Sequence, residues 1–393
     1  MQRIYLDRIA AAPLCPEALE AMLPFLRESY ANPQSLHRDG QVVLEAVETA
    51  REGVARLIGA EASEIVFTAS GSEANNLAVK GLALASRVKG THLVVSAVEH
   101  PSVLNAARAL EKLGFSTTVV PVDGQGRIDP DAVAKALTPK TILASVMLAN
   151  SEVGTIEPVA EIAALCRARG VRVHTDAVAA AGSIPVDVAA LGVDALSLAG
   201  APFYGPKGAA ALWLRKGTRV LPLVDGGVQE GGRRAGTENV AGLAGFGRAA
   251  EIARERLDAR AARESALRDR LIDGVLGAFD RVVLTGPRAP RLPYNASFCV
   301  EFVEGEALLL SLDMKGIAVS SGSACSSKSL KASHVLLAMG LDHALAQGSL
   351  VFSLLEGTTA EEIDSVIAAF GPIIDRLRKM SPTYTEFLKE KRS

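Results

Sequence analysis

The sequence has few cysteines, four in 393 residues, and Cys15, Cys166, Cys299 and Cys325 are widely separated with no C-x-x-C pair among them. That spacing argues against both a disulfide framework and a zinc ribbon, and it fits a reducing cytoplasm. Charge imbalance is also missing. The 42 basic residues nearly cancel the 44 acidic ones, which removes any general electrostatic case for nucleic acid or an anionic membrane. No apolar run approaches the roughly 20 residues that cross a bilayer, and the N-terminal MQRIYLDRIAAAPLC lacks the apolar stretch of a signal peptide. Internal repeats and long low-complexity tracts are absent. What is present is a chain 49% hydrophobic and 22% charged, enough to bury sizeable cores in two domains or one large α/β unit. The expectation is a soluble, cytoplasmic protein whose partners are small molecules or proteins.

Residues 16–58 carry apolar positions at three and four spacings, the helical period, interrupted at Asn32-Pro33. Short apolar runs then alternate with helical stretches: EIVFT, HLVVSAV, TVVPV, TILASVML and VRVHTD are each followed by one or lie next to one. This alternation predicts βαβ units and a mostly parallel sheet with helices on both faces. The runs DALSLAG and AAALWLR lie close together across Gly205-Pro206-Lys207-Gly208 and predict a strand pair with a turn. A single long helix is expected from about Glu238 to Ala278, followed by a smaller α+β unit.

In an open parallel sheet, ligands bind outside the carboxyl ends of the strands, so the loops that follow strands are where chemistry is sought. TASGSEANN opens a helix in which Gly71 and Ser72 offer an amide and a hydroxyl to an anion, or serve only as a cap. His100 and Asp176 sit at strand ends, where either a catalytic group or a satisfied polar group is at home. Cys325 lies in SSGSACSSKS, a polar loop in which a cysteine does not serve packing.

Together these loops resemble the cysteine desulfurases, pyridoxal-phosphate enzymes of the class V aminotransferase fold, over essentially the whole chain. The resemblance is carried by YLD (5–7), NPQSLH (32–37), GSEANN (71–76), VEHP (98–101), AN-x-E-x-GT (149–155), HTDAV (174–178), GPKG (205–208), GRRAGTEN (232–239) and SSGSAC (320–325). It implies a homodimer. It also implies an α/β, aminotransferase-like large domain of residues 15–258, with a mostly parallel sheet of the seven-stranded type holding the cofactor. A smaller α+β domain of residues 1–14 and 259–393 would carry the Cys325 loop.

The resemblance fails where the family's chemistry is concentrated. The lysine that forms the Schiff base and then shuttles protons lies in S-x-S-G-H-K ahead of G-P-K-G. Here the stretch reads Ser197-Leu198-Ala199-Gly200-Ala201-Pro202, and Pro202 has no amine. Lys207 does not replace it, since the family has its own lysine in that turn. Ala199 stands for a phosphate-binding serine, Ala201 for a histidine and Ala179 for the glutamine that bonds the cofactor's phenolic oxygen. Val228 and Gly231 replace the histidine and arginine of G-G-H-x-x-R. Arg8 replaces an asparagine near the N-terminus. In the substrate-carboxylate motif, Val351 and Glu356 replace two arginines, and a reversed charge repels the substrate that the arginine would hold. Ser72, His100, Asp176 and Thr237 remain as remnants of the cofactor site.

The resulting expectation is a desulfurase-like protein without covalent pyridoxal phosphate or pyridoxal-phosphate catalysis. It would act in sulfur trafficking or iron–sulfur assembly, with Cys325 as persulfide acceptor or iron–sulfur cluster ligand. Lys328, Lys331 and His334 would favour its thiolate, while Cys166 and Cys299 belong to the core. One alternative is an enzyme of different chemistry using His100, Asp176 and Cys325 in the emptied cavity. Another is a structural partner of an active desulfurase paralogue, competing for its iron–sulfur scaffold proteins. Arg8 and Glu356, placed at the substrate pocket, are expected to approach within about 4 Å and close it as an ion pair.

Overall fold

The computed structural model describes residues 3–322 and 332–391. Twelve strands fall within them: β1 Ile4–Tyr5, β2 Ile65–Thr68, β3 His92–Ser96, β4 Ser116–Val120, β5 Thr141–Ser145, β6 Arg172–Asp176, β7 Ala195–Ala199, β8 Ala210–Leu214, β9 Val282–Leu284, β10 Asn295–Val300, β11 Ile317–Ala318 and β12 Ser349–Ser353. Seven of them form one sheet in the order β2-β8-β7-β6-β5-β3-β4. The pairs among β3 to β7 are parallel, and β8 alone runs against its neighbours β2 and β7. The sheet is thus the seven-stranded, mostly parallel one expected. Every residue of β5, β7 and β8 is buried, because helices cover both faces. Within this sheet, only the edge strand β4 has exposed residues, Ser116 and Val119.

β7 and β8 pair from Ala195 opposite Leu214 to Ala199 opposite Ala210, so the 205–208 segment turns between antiparallel strands. Helices Pro16–Arg27 and Arg38–Leu57 pack against helix Val240–Glu255. The last two approach so closely that a Cβ on Gly247 would lie 2.4 Å from the Cα of Ala50, which only glycine accommodates.

The single helix expected from Glu238 to Ala278 is two helices, Val240–Glu255 and Leu257–Ala278, broken at Arg256. The first half is buried on the large sheet's helical layer, whereas the second packs on helix Ala360–Met380. The break lets the chain pass from one layer to the other. Strands β9, β10 and β12 form an antiparallel sheet of order β12-β10-β9, and β1 pairs in parallel with β11. Asp7 bridges to Ser353, so the N-terminal segment is stitched into the C-terminal unit. A small apolar cluster of Val98, Met147 and Val153 with Cys299, Val335, Leu336 and Met339 joins the two units. Among the described residues, no helix is long and apolar enough to cross a membrane.

Candidate functional site

A cavity of about 290 Å³ opens at the carboxyl edge of the large sheet, where an open α/β fold places its ligands. β3 runs into the turn that ends at His100, β6 delivers Asp176, and β2 leads into the helix start at Ser70, Gly71 and Ser72. All of these line the cavity, so the structure brings Ser72, His100 and Asp176 together. The Ser70 hydroxyl accepts from the amide of Glu73 at 3.1 Å, and the Glu73 carboxylate accepts from the amide of Ala69 at 2.8 Å. The segment is therefore its own helix cap, and Ser72 is exposed at the rim.

A hydrogen-bond chain connects the retained polar groups. The Asn75 amide donates to Asp176 Oδ2 at 2.6 Å and to Ser102 Oγ at 2.9 Å. Ser102 Oγ lies 2.7 Å from His100 Nδ1, and the backbone amide of Ser102 donates to the same nitrogen at 3.1 Å. An amide can only donate, so Nδ1 is an acceptor and Nε2 bears the ring proton. Asp176 also accepts from the amide of Val178 at 2.9 Å. Burial pushes its carboxyl up, while Val178, Asn75 and the nearby His100 pull it down.

Two further acids, Glu99 and Glu152, support this wall. Glu99 is fully buried and accepts from Met147 N at 2.6 Å and Ser96 Oγ at 2.7 Å. Glu152 lines the cavity itself, and its Oε1 has no partner among the described residues. Burial pushes both carboxyls up to about 8, against their own hydrogen bonds. The signal was available in the sequence, since VEHP and AN-x-E-x-GT each place a glutamate just after an apolar strand.

Pro202 is buried in the short 3-10 turn Ala201–Phe203 after β7, and its carbonyl accepts from Arg8 Nε at 2.9 Å. Ala179 lines the cavity and Ala199 is buried, each with only a methyl group. Lys207 sits in the exposed turn. A pyridoxal phosphate group held covalently needs an amine in the wall, and no lysine lines the cavity among the described residues. Asp176, His100 and the helix start match a ring and a phosphate, but the covalent seat does not fit the residues present.

The expected pairing of Arg8 with Glu356 is corrected by the structure. Arg8 is 1% exposed and its guanidinium bonds Glu264 at 2.9 Å and Ser183 Oγ at 2.9 Å, lying over the rings of Tyr294 and Tyr204. Glu356 instead faces Arg256 and Arg260, each at 3.7 Å, with 35% of its side chain exposed. Neither residue lines the cavity. Glu264 wins the guanidinium because helix Leu257–Ala278 presents its carboxylate inside a dry pocket, whereas Glu356 stays at a wetter mouth. Arg260, Glu264 and Arg268, spaced by four, form a buried stripe on that helix.

Thr237 does not line the cavity and is exposed. Its loop is held by an ion pair from Arg234 to Glu73 at 2.8 Å, and Gln34 bonds the neighbouring Glu238 at 3.0 Å. Close in sequence to Gln34, Tyr30 and Leu36 are 86% and 94% exposed.

Cys325, Lys328 and Lys331 lie outside the described residues. His334 does not act as the cationic neighbour expected: burial pushes its pKa down, and its Nε2 donates to the carbonyl of Glu99 at 3.0 Å. Cys166 and Cys299 are buried, and burial pushes their thiols up to about 11 and about 12. Among the described residues, no three His, Cys, Asp or Glu side chains converge to hold a metal ion.

Comparison with known proteins places this geometry. The aminotransferase class-V family matches residues 4–366. Cysteine desulfurase IscS of Dictyoglomus turgidum is 48% identical over 392 residues, covering 100% of both chains. Cysteine desulfurase IscS of Clostridium botulinum (strain Hall) is 45% identical, covering 99% of both. Among solved structures, a NifS-like protein superposes with a TM-score of 0.89 at 35% identity, covering 96% of this chain and 99% of that one. The apo cysteine desulfurase of Thermococcus onnurineus NA1 gives 0.85 at 26% identity, covering 95% of each. The chain belongs to the class-V aminotransferases and, within them, to the cysteine desulfurase family.

Proposed function

We propose that this family member handles sulfur on Cys325 without a covalent pyridoxal-phosphate step, as a component of sulfur trafficking or iron–sulfur assembly. The observation that carries this reading is the absence of lysine from the described cavity wall, together with Pro202, behind that wall, at the sequence position that the resemblance assigns to the Schiff-base lysine. Proline offers no amine, and its carbonyl is already occupied by Arg8. The family's other chemical group, the loop cysteine, is retained as Cys325.

The step assigned to Cys325 is transfer from a persulfide donor. Its thiolate attacks the terminal sulfur of the donor, a new S–S bond forms at Cys325, the donor's S–S bond breaks, and the donor leaves as a thiolate. No external oxidant is needed. This favours the persulfide reading over cluster ligation, because a lone cysteine does not complete a cluster's ligand set. A homodimer is supported by the exposed apolar Tyr30 and Leu36, which flank Gln34, itself bonded to Glu238 next to Thr237.

The test is persulfide uptake. The full chain, reduced and then given glutathione persulfide, should gain one sulfur atom at Cys325, and Cys325→Ser should gain none. An unmodified Cys325 under conditions that label a free thiol would overturn the assignment.

A further inference from the structure

A groove of about 950 Å³ in the smaller unit shares no residue with the cavity at the large sheet. Helix Ala360–Met380 contributes one side of it, and Met314 and Lys315, at the end of helix Gly305–Asp313, line it as well. Ile4 of β1 and Ile317 of β11 add apolar surface. Large side chains there are uncovered: Met314 is 80% exposed, and Leu310, one helical turn before it, is 56% exposed. Arg376 reaches only Ser311 Oγ, at 3.1 Å, and neither it nor Lys315 forms an ion pair among the described residues. An apolar surface rimmed by charge in this way marks an interaction site.

The charge pattern on the groove says what covers it. Helix Ala360–Met380 lines it with Glu361, Ser365, Ala368, Ala369, Pro372 and Arg376, which fall at three and four spacings on one helical face. Glu361 and Arg376 lie equally far from the midpoint between Ala368 and Ala369, and so do Ser365 and Pro372. The same helix from a second copy, laid antiparallel about a two-fold axis through that midpoint, sets Glu361 opposite Arg376 at both ends. A parallel arrangement would set Glu361 against Glu361. Within one chain the two charges are about 22 Å apart along the helix, at 1.5 Å per residue, so they cannot neutralise each other at home. At the centre, small side chains meet small ones and let the helix axes come to the short end of the usual range of about 8–10 Å. Such self-complementarity is the requirement of a two-fold contact.

We propose that this groove is a self-association surface, in which helix Ala360–Met380 of a second copy packs antiparallel across a two-fold axis at Ala368 and Ala369. Each copy then covers Met314 of the other, and Arg376 gains the carboxylate that it lacks within its own chain. The surface contains neither Tyr30 nor Leu36, so it is separate from the face assigned to the homodimer, and it depends on no role of Cys325. With both faces in use, homodimers join in pairs.

The experiment is analytical ultracentrifugation of the intact full chain, from dilute to concentrated protein, with charge-swapped variants. The parent should show a reversible doubling of mass: dimer to tetramer, or monomer to dimer if the Tyr30 and Leu36 face does not pair. Glu361→Arg and Arg376→Glu each set like charges together at both ends, and each should weaken the doubling about tenfold. The variant carrying both substitutions restores opposite charges and should return to within about threefold of the parent, which also controls for folding. Ala368→Trp, which obstructs the close approach at the axis, should abolish the doubling with the charges untouched. A single mass for the parent up to its solubility limit overturns the proposal and leaves the groove to a different chain. A doubling that every variant retains overturns it too, because the contact would then lie on another face. So does a double variant as weak as the single ones, since Glu361 would then not face Arg376.

Discussion

Arg8 and Glu264 form an ion pair at 2.9 Å, with side chains only 1% and 2% exposed, directly behind the turn that carries Pro202. The guanidinium uses Nε for the Pro202 carbonyl, Nη1 for Glu264 and Nη2 for Ser183, and Tyr294 covers its face at 4.4 Å. One side chain from the N-terminal segment thus ties together helix Leu257–Ala278 and the turn after β7. The planar five-donor fork of arginine fits such a junction, and lysine would satisfy only part of it.

Breaking the pair from one side strands a buried charge. Glu264→Ala should lower the unfolding free energy by about 3–5 kcal/mol, read by urea denaturation. Glu356→Gln should cost about 1 kcal/mol or less, because its partners Arg256 and Arg260 lie at 3.7 Å around a partly hydrated group. Comparable losses in the two variants would contradict the assignment of Glu264 as the partner of Arg8.

Stability should fall as pH rises from about 4.5 to about 8. Glu99 and Glu152 are raised in the folded state to about 8 from an ordinary 4.5. In this window the folded chain holds protons that the unfolded chain has released, so their contribution is complete below 4.5 and is lost as pH passes through 8. Denaturation midpoints across this range should show the decline, and Glu99→Gln should flatten it. A parallel decline in that variant would place the effect elsewhere.

His174 should act in the opposite direction. Its ring lies between Ser145 Oγ and Ser197 Oγ, each at 2.9 Å, and burial pushes its pKa down to about 3. Below an unfolded value of about 6.5, the unfolded chain takes up a proton that the folded chain refuses, so stability falls as pH drops from 6.5 toward 3. NMR titration should show the His174 ring neutral down to at least pH 5. A midpoint near 6.5 in the folded protein would refute this.

Thiol reactivity should divide the cysteines. Cys166 and Cys299, pushed up to about 11 and about 12, should resist alkylation at neutral pH, because the thiolate is the reactive form. Cys325 should react at rates typical of an accessible thiol. Equal protection of all four would remove the case for a sulfur-handling loop.

The large sheet was legible because its strands are buried on both faces and read as continuous apolar runs, each next to a helical period. The β7–β8 pair was legible from two such runs joined by a short Gly-Pro-Lys-Gly turn. The break at Arg256 was not, since arginine is a good helix former and the break is imposed by what each half packs against. Helix Leu257–Ala278 looks like a solvated face, which hid Glu264 as the partner of Arg8. His334 reads in sequence as a cation near a thiol, yet its imidazole donates to the carbonyl of Glu99 instead. His100 and Asp176 were found because strand ends converge in this topology, whereas the Asn75–Ser102 link between them depends on a contact between two helices.

The central claim is the absence of a Schiff-base lysine, and borohydride trapping tests it most directly. The purified full chain is incubated with pyridoxal phosphate and cysteine, reduced with borohydride, digested and mapped by mass spectrometry, with alanine measured in parallel. The account predicts no pyridoxyl adduct on any lysine of the cavity and no alanine above the protein-free control. A single reduced adduct at one lysine, accompanied by alanine formation, would contradict it.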